Sequence, residues 1–161
     1  MAEAKTNALR ILEQAGAKFE TRTYDPDITD GVGVARTLGE DVESVFKTLV
    51  TYSEQSLENY VFVIPVSCTL DLKKAAKAVG EKSVHMILEK KLLPLTGYVH
   101  GGCSPVGMKK TLRTVIDESA ILFDTIFISG GRRGLQIEIS LEELGKVVPF
   151  TLADIAIQSV Y

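Results

Sequence analysis

Three short stretches carry the residue types that could do chemistry. Gly101 to Lys110 reads GGCSPVGMKK, with three glycines, a proline, one of the two cysteines of the chain and a closing pair of lysines. Gly101 and Gly102 can take positive φ and let main-chain N–H groups approach a ligand, while Pro105 stiffens the exit. Such a backbone cradle can hold a developing oxyanion, where losing one donor costs roughly 2.7–4 kcal/mol. An ordinary turn would use the same residues. Cys103 raises a thiol-enzyme reading, which needs a base such as His100 or His85 and an electropositive setting. His100 lies three residues away across two glycines, nothing orients its ring at the sulfur, and no third group is evident. A metal set would need Cys68 and His85 to join that pair through folding alone, and no metal or other cofactor is expected.

The second stretch is VFKTLV, residues 45–50. A strand period puts Val45, Lys47 and Leu49 on one face and Phe46, Thr48 and Val50 on the other. Lys47 therefore sits on a surface that should be core, where an unpaired ammonium is expensive. Either its stem snorkels to water or its charge faces a cleft and meets an anion. A cation that anchors phosphate or ribose needs no perturbed pKa, whereas a general base would need burial to lower it. The third stretch is SGGRRGLQIEIS, residues 129–140: a glycine-rich turn before a strand whose Leu135, Ile137 and Ile139 share an apolar face. Its Arg132 and Arg133 suit phosphate, and a solvated hairpin tip would look alike.

Around these stretches the elements read as follows. Residues 4–15 form a helix, capped by Thr6 or Asn7 and stopped by Gly16, with Ala8, Leu9, Leu12 and Ala15 as its stripe. Phe19 to Tyr24 alternates as a strand, and Gly31 to Gly39 forms a short helix. Val45 to Ser53 and Asn59 to Val66 make a hairpin. Leu72, Ala75, Ala76 and Val79 line one face of a helix closed by Gly80, opposite Lys73, Lys74 and Lys77. Ser83 to Ile87 is a short strand and Leu88 to Leu95 a short helix despite Pro94. Thr114 to Asp117, Thr125 to Ser129 and Leu135 to Ser140 are strands, Glu142 to Val147 a helix, and Phe150 to Ile157 a last segment. Several neighbouring strands are joined too tightly for crossover helices, so some pairing must be antiparallel. The expected architecture is α+β: one domain over residues 1–161, with a mixed, curved, barrel-like sheet flanked by helices.

The bulk composition sets limits. The chain has 161 residues, 45% hydrophobic and 24% charged, ordinary for a globular domain with a real core. Two cysteines are too few for a disulfide framework, which reads as cytoplasmic. MAEAKTNALR has no apolar h-region, and the longest apolar run, Tyr60 to Val66, is far short of a membrane span. A net charge of −3 argues against a protein that coats nucleic acid, DNA included. The charge is uneven, however. Residues 71–133 carry eleven Lys and Arg against six Asp and Glu, and the remainder seven against fifteen. A basic middle can form a local phosphate-facing surface, or simply be the wet faces of helices.

In this order and spacing, FKTLV at 46–50, LDLKKAAKAVG at 70–80, TGYVHGGCSPVGMKK at 96–110 and ISGGRRGLQIEI at 128–139 resemble the YbaK branch of the YbaK/prolyl-tRNA synthetase-associated domain family. The resemblance covers nearly the whole chain. It implies a trans-editing enzyme that deacylates mischarged tRNA, with the YbaK type removing cysteine from tRNA(Pro). It also implies roles for single residues. Lys47 matches the essential lysine, Gly101 to Pro105 (with Gly102 and Ser104) the substrate loop, Tyr24 a pocket tyrosine, and Ser129 and Gly130 the pair that closes the pocket. Gln136 stands where an aspartate is expected, which leaves the substrate range open between cysteine and another small amino acid such as alanine. Lys109, Lys110, Arg132 and Arg133 would face the tRNA, and prolyl-tRNA synthetase would be the transient partner. A non-catalytic tRNA-binding module remains the reading from another class; it would bind with strong salt dependence and turn nothing over.

Overall fold

The computed structural model describes residues 5–159. Ala4, at the expected start of the first helix, and both ends of the 1–161 domain lie outside them. Helix α1, Asn7–Gln14, is capped by Thr6, whose hydroxyl accepts from Leu9 N–H, and it buries Ala8 and Leu12. Helices α2, Gly31–Leu38, and α3, Leu72–Val79, begin at Asp30 and Asp71. Each ends at a glycine in the left-handed region, Gly39 at φ 71° and Gly80 at φ 74°. Asp caps and αL glycines are local signals, which is why both helices fall where the sequence puts them.

Strands β2, Phe46–Tyr52, and β3, Asn59–Pro65, form the expected hairpin, with Lys47 opposite Ile64 and Thr48 opposite Val63. They continue into a five-stranded sheet of order β5-β2-β3-β6-β9, where β5 is His85–Met86, β6 Arg113–Asp117 and β9 Phe150–Ala153. Here β3 with β6 and β6 with β9 are parallel, and the other pairs are antiparallel. A second sheet has the order β1-β8-β7, from Glu20–Thr23, Leu135–Ile139 and Ile126–Ser129. The two meet at one isolated parallel bridge, Val45 with Phe127. Among the described residues the sheets curve around the core without closing into a barrel.

β3 is buried on both sides, and its alternation shows how. Val61 and Val63 pack with Ala8 and Leu12 of α1 and with Ile126, Ile128, Ile137 and Ile139 of the second sheet. Tyr60, Phe62 and Ile64 pack on the other side against Ala75, Ala76 and Val79 of α3. A strand covered on both faces reads as a continuous apolar run. Fully burying a side chain such as Phe62 stabilises by about 1.5–3 kcal/mol. Val34, Ala35 and Leu38 of α2 form a third cluster with Val45, Val66 and Phe127, over the junction of the two sheets.

Four details differ from expectation. Pro65-Val66-Ser67 turns the chain into an additional short strand, β4, Cys68–Leu70. A 3-10 turn, Glu118–Leu122, follows β6. Helix α5 spans only Leu141–Leu144, from the Ser140 cap. The last segment is two strands, β9 and β10, Ala156–Gln158, and β10 pairs with β4. The break between them is made by Asp117, whose carboxylate accepts from Ile155 and Ala156 N–H. Helix α4, Glu89–Thr96, tolerates Pro94 inside it. Among the described residues no helix is long and apolar enough to cross a membrane.

Candidate functional site

A cavity of about 320 Å³ lies where β2 parts from the second sheet. Val66 N–H donates to Val45 C=O, so the hydrogen-bonded pairs with β3 continue at Lys47 and Leu49. The peptide groups of Phe46 and Thr48 therefore point the other way; the Val45–Phe127 bridge takes up that side as far as Phe46, and β5 pairs with β2 only at Thr51 and Tyr52, which leaves the edge open at Thr48. This open edge explains why Val45 through Leu49, from both faces of one strand, all line the cavity. Strict alternation hides Thr48 in the sequence, because it assigns Thr48 to the face away from Lys47. Leu92 of α4 and Val34 of α2 supply apolar wall that no local motif marks.

Lys47 is the one Lys, Arg, Asp or Glu in the cavity wall among the described residues. It is half-buried, and desolvation holds its ammonium below the usual lysine range, with the nearby Cys68 acting weakly in the opposite direction. Lys47 stands in the cavity wall. Tyr24, Gly101, Ser129 and Gln136 line the same space. They come from the end of β1, the glycine loop, β7 and β8, and the register pairs Ser129 directly with Gln136. Ser129 Oγ accepts from Gly131 N–H at 3.2 Å and so holds the turn that follows it.

The loop after Val99 is built for close approach. Gly101 has φ 84° and stands in the wall, and Arg133 Nε–H donates to His100 C=O at 3.0 Å just behind it. Among the described residues the N–H groups of Gly101 and Cys103 donate to no protein acceptor. Gly102 is buried beneath the turn at 132–133: a Cβ there would lie 2.9 Å from Arg132 Cα and 3.0 Å from Arg133 N. Those are backbone atoms and cannot swing aside. Gly102→Ala should destabilise by about 1–3 kcal/mol in urea unfolding, with the loop displaced; an unchanged midpoint would show that the two turns are not in fixed contact.

The other expected site residues lie further out. Ser104 is fully buried and accepts from Val106 N–H, a local turn, and Pro105 lines a separate groove with Ile11 and Met108. Gly130 packs on Leu135, where a Cβ would meet Cγ at 2.5 Å, and neither it nor Gly102 lines the cavity. Lys109 lays its stem on Gly97, and Lys110 belongs to the separate groove. Only the Arg132–Arg133 turn, packed on Gly101 and Gly102, brings expected tRNA-facing residues beside the cavity.

Cys103 does line the cavity, yet burial pushes its thiol up to about 12. At neutral pH such a thiol stays protonated and is a poor nucleophile. Among the described residues, no group of three or more His, Cys, Asp or Glu could hold a metal ion. What remains is a chamber lined by one lysine together with Gly101 and Cys103, whose N–H groups donate to no protein acceptor among the described residues.

Residues 25–147 match the family model described as the aminoacyl-tRNA editing domain. A protein of Enterococcus faecalis named "Putative Cys-tRNA(Pro)/Cys-tRNA(Cys) deacylase EbsC" is 42% identical over 144 residues, 88% of this chain and 87% of its own. Two solved structures share the fold. One, described as "a putative trans-editing enzyme for prolyl tRNA synthetase", has a TM-score of 0.83 at 23% identity, over 98% of this chain and all of its own. The other, hypothetical protein APE2540, has a TM-score of 0.85 at 22% identity, over 94% and 99%.

Proposed function

The chain belongs to the aminoacyl-tRNA editing domain family and is an aminoacyl-tRNA deacylase; on that premise we propose that it removes cysteine from mischarged tRNA(Pro) in trans. The observation that carries this reading is a cavity of about 320 Å³ lined by Lys47 and Gly101, whose one cysteine, Cys103, has a thiol that burial keeps protonated. The substrate then supplies the nucleophile. The thiol of the attached cysteine attacks its own ester carbonyl, a C–S bond forms, and the C–O bond to the terminal ribose breaks. The thiol proton ends on the departing ribose oxygen. The products are a cyclic thiolactone and free tRNA, and water opens the thiolactone later.

In this scheme the protein positions and stabilises. The Gly101 and Cys103 N–H groups face the developing oxyanion. Lys47 stabilises negative charge on the departing ribose oxygen or an adjoining phosphate. Tyr24, Ser129 and Gln136 bound the space around the aminoacyl group, and Gly102, Ser104, Pro105 and Gly130 hold the loops that shape it. Confinement of thiol and ester in one chamber supplies the orientation that cyclisation needs. Arg132 and Arg133 contact the acceptor end, with Lys109 and Lys110 on a more distant part of the tRNA. A transient complex with prolyl-tRNA synthetase supplies the tRNA choice that a modest basic surface does not.

A deacylation panel tests the reading: cysteinyl-, alanyl-, seryl- and prolyl-tRNA(Pro), with and without the synthetase. Turnover of the cysteinyl ester alone is expected. Brisk alanyl turnover would replace cyclisation by attack of an activated water, because alanine has no nucleophile to offer. A second measurement addresses the protein's own thiol. Cys103→Ala should keep activity within about threefold at a stability cost of about 1 kcal/mol. An inactive but folded variant would return the chemistry to Cys103.

A further inference from the structure

The two glycine-containing loops beside the cavity are both tied to one short piece of chain, the start of α1. Thr6 Oγ1–H donates to Gly130 C=O at 2.5 Å, and the same oxygen accepts from Leu9 N–H as the helix cap. The next residue, Asn7, donates from Nδ2 to Gly107 C=O at 2.6 Å. Both contacts are seated on glycine. A Cβ on Gly131 would lie 2.9 Å from Thr6 Cβ, and one on Gly107 would lie 2.9 Å from Asn7 Nδ2. The mount itself is fixed, because Ala8 and Leu12 behind it are fully buried in the core that both sheets share.

Each tied loop continues into the cavity wall. Gly130 follows Ser129, Gly107 closes the loop that begins at Gly101, and Ser129 and Gly101 both line the cavity. The loops also touch directly, through Arg133 Nε–H to His100 C=O and the packing of Gly102 on Arg132. Backbone N–H groups stabilise a developing oxyanion only where they are held, and a misplacement of about 1 Å costs on the order of 100-fold. Resting on the deacylase reading above, we propose that Thr6 and Asn7 are positioning residues for the reaction. They hold the Gly101 loop and the Ser129–Gly130 turn at one spacing across the cavity, and neither lines the cavity itself. Both lie outside residues 25–147, the span that matches the editing-domain family model. The device is therefore supplied by α1 and not by the matched domain.

Carboxylate variants separate this role from helix stability. Asp caps a helix as well as Thr does, and its charge suits the first helical turn, but an ionised carboxylate only accepts hydrogen bonds. Thr6→Asp and Asn7→Asp thus keep α1, and each turns a donor on a loop carbonyl into a repelling acceptor. The substrate is whichever ester the wild type cleaves fastest in the panel above, assayed well below each variant's melting temperature. Each Asp variant should lower kcat about tenfold with KM within about twofold, the split expected when the transition state alone loses its fit. Thr6→Ser keeps the hydroxyl and should stay within about threefold of the wild type. Asn7 is exposed, so its variant decides the matter should Thr6→Asp fail to fold. Asp variants with near-normal kcat would overturn the proposal. So would a rise in KM alone, which repulsion between the new carboxylate and tRNA phosphates produces, or a loss in Thr6→Ser equal to that in Thr6→Asp. A wild type that cleaves no ester in the panel would overturn the deacylase reading first, and this role with it.

Discussion

Replacing Lys47 by alanine is expected to lower deacylation of cysteinyl-tRNA(Pro) by about 100-fold or more while the protein stays folded. The ammonium is the one Lys, Arg, Asp or Glu in the cavity wall among the described residues, so no neighbouring group of that kind replaces it there. Removing a single donor to developing charge in a water-poor site costs roughly 2.7–4 kcal/mol, a factor of about 10²–10³. The fold should not suffer, because burial already disfavours the charged form of Lys47. The sign follows from linkage: the folded state binds this proton less tightly than the unfolded chain, whose lysine titrates at 10.5. The wild type therefore gains stability as pH rises from below the lowered folded value towards 10.5, and Lys47→Ala loses that dependence. Single-turnover deacylation together with thermal melts at two pH values would check both halves. A folded variant with near-normal turnover would remove Lys47 from the chemistry.

Seryl-tRNA(Pro) is expected to be at least about 1,000-fold slower than cysteinyl-tRNA(Pro), although the two differ by one atom. A thiol of pKa about 8.5 is a few per cent thiolate at neutral pH, whereas a serine hydroxyl has essentially no alkoxide. A site that only confines and stabilises inherits that gap in nucleophilicity. Size alone could not produce it, because small differences in an apolar pocket are worth only about 1–3 kcal/mol. The same panel, run with mass detection of the released amino-acid product, separates a thiolactone from direct hydrolysis. Comparable rates on seryl- and cysteinyl-tRNA would sink the cyclisation scheme and favour a water nucleophile.

Much of this molecule was legible in its residue order, for identifiable reasons. The stripe of Ala8 and Leu12 and the αL glycines 39 and 80 act within a turn or so of helix. The β2–β3 hairpin needs only two apolar runs and a polar turn. Lys47 stood out because it broke an apolar strand, and the structure has it at a cavity. Thr48 was hidden, since a period of two is an argument about faces and the cavity is at an edge. Ser104, Pro105, Lys109 and Lys110 were implied by the resemblance rather than by any local signal, and the structure buries Ser104 in a local turn and has Pro105 and Lys110 at a separate groove. The division into β9 and β10 was hidden too, because it depends on Asp117, 38 residues before Ile155.

By itself, then, the sequence determined most of the element types, the α+β class, the unusual lysine and the glycine-rich loop. Each of these is set by propensities and periodicities that operate over a few neighbouring residues. Only the tertiary structure decided that β2 would leave an edge open beside β7, and so which side chains share a wall. Strand edges and parallel neighbours are chosen by contacts between segments far apart in the chain, where local signals carry no information. Burial was decided there as well. It depressed the Lys47 ammonium, kept the Cys103 thiol protonated, and left Thr48 and Gln136 with oxygens that the chain itself does not pair.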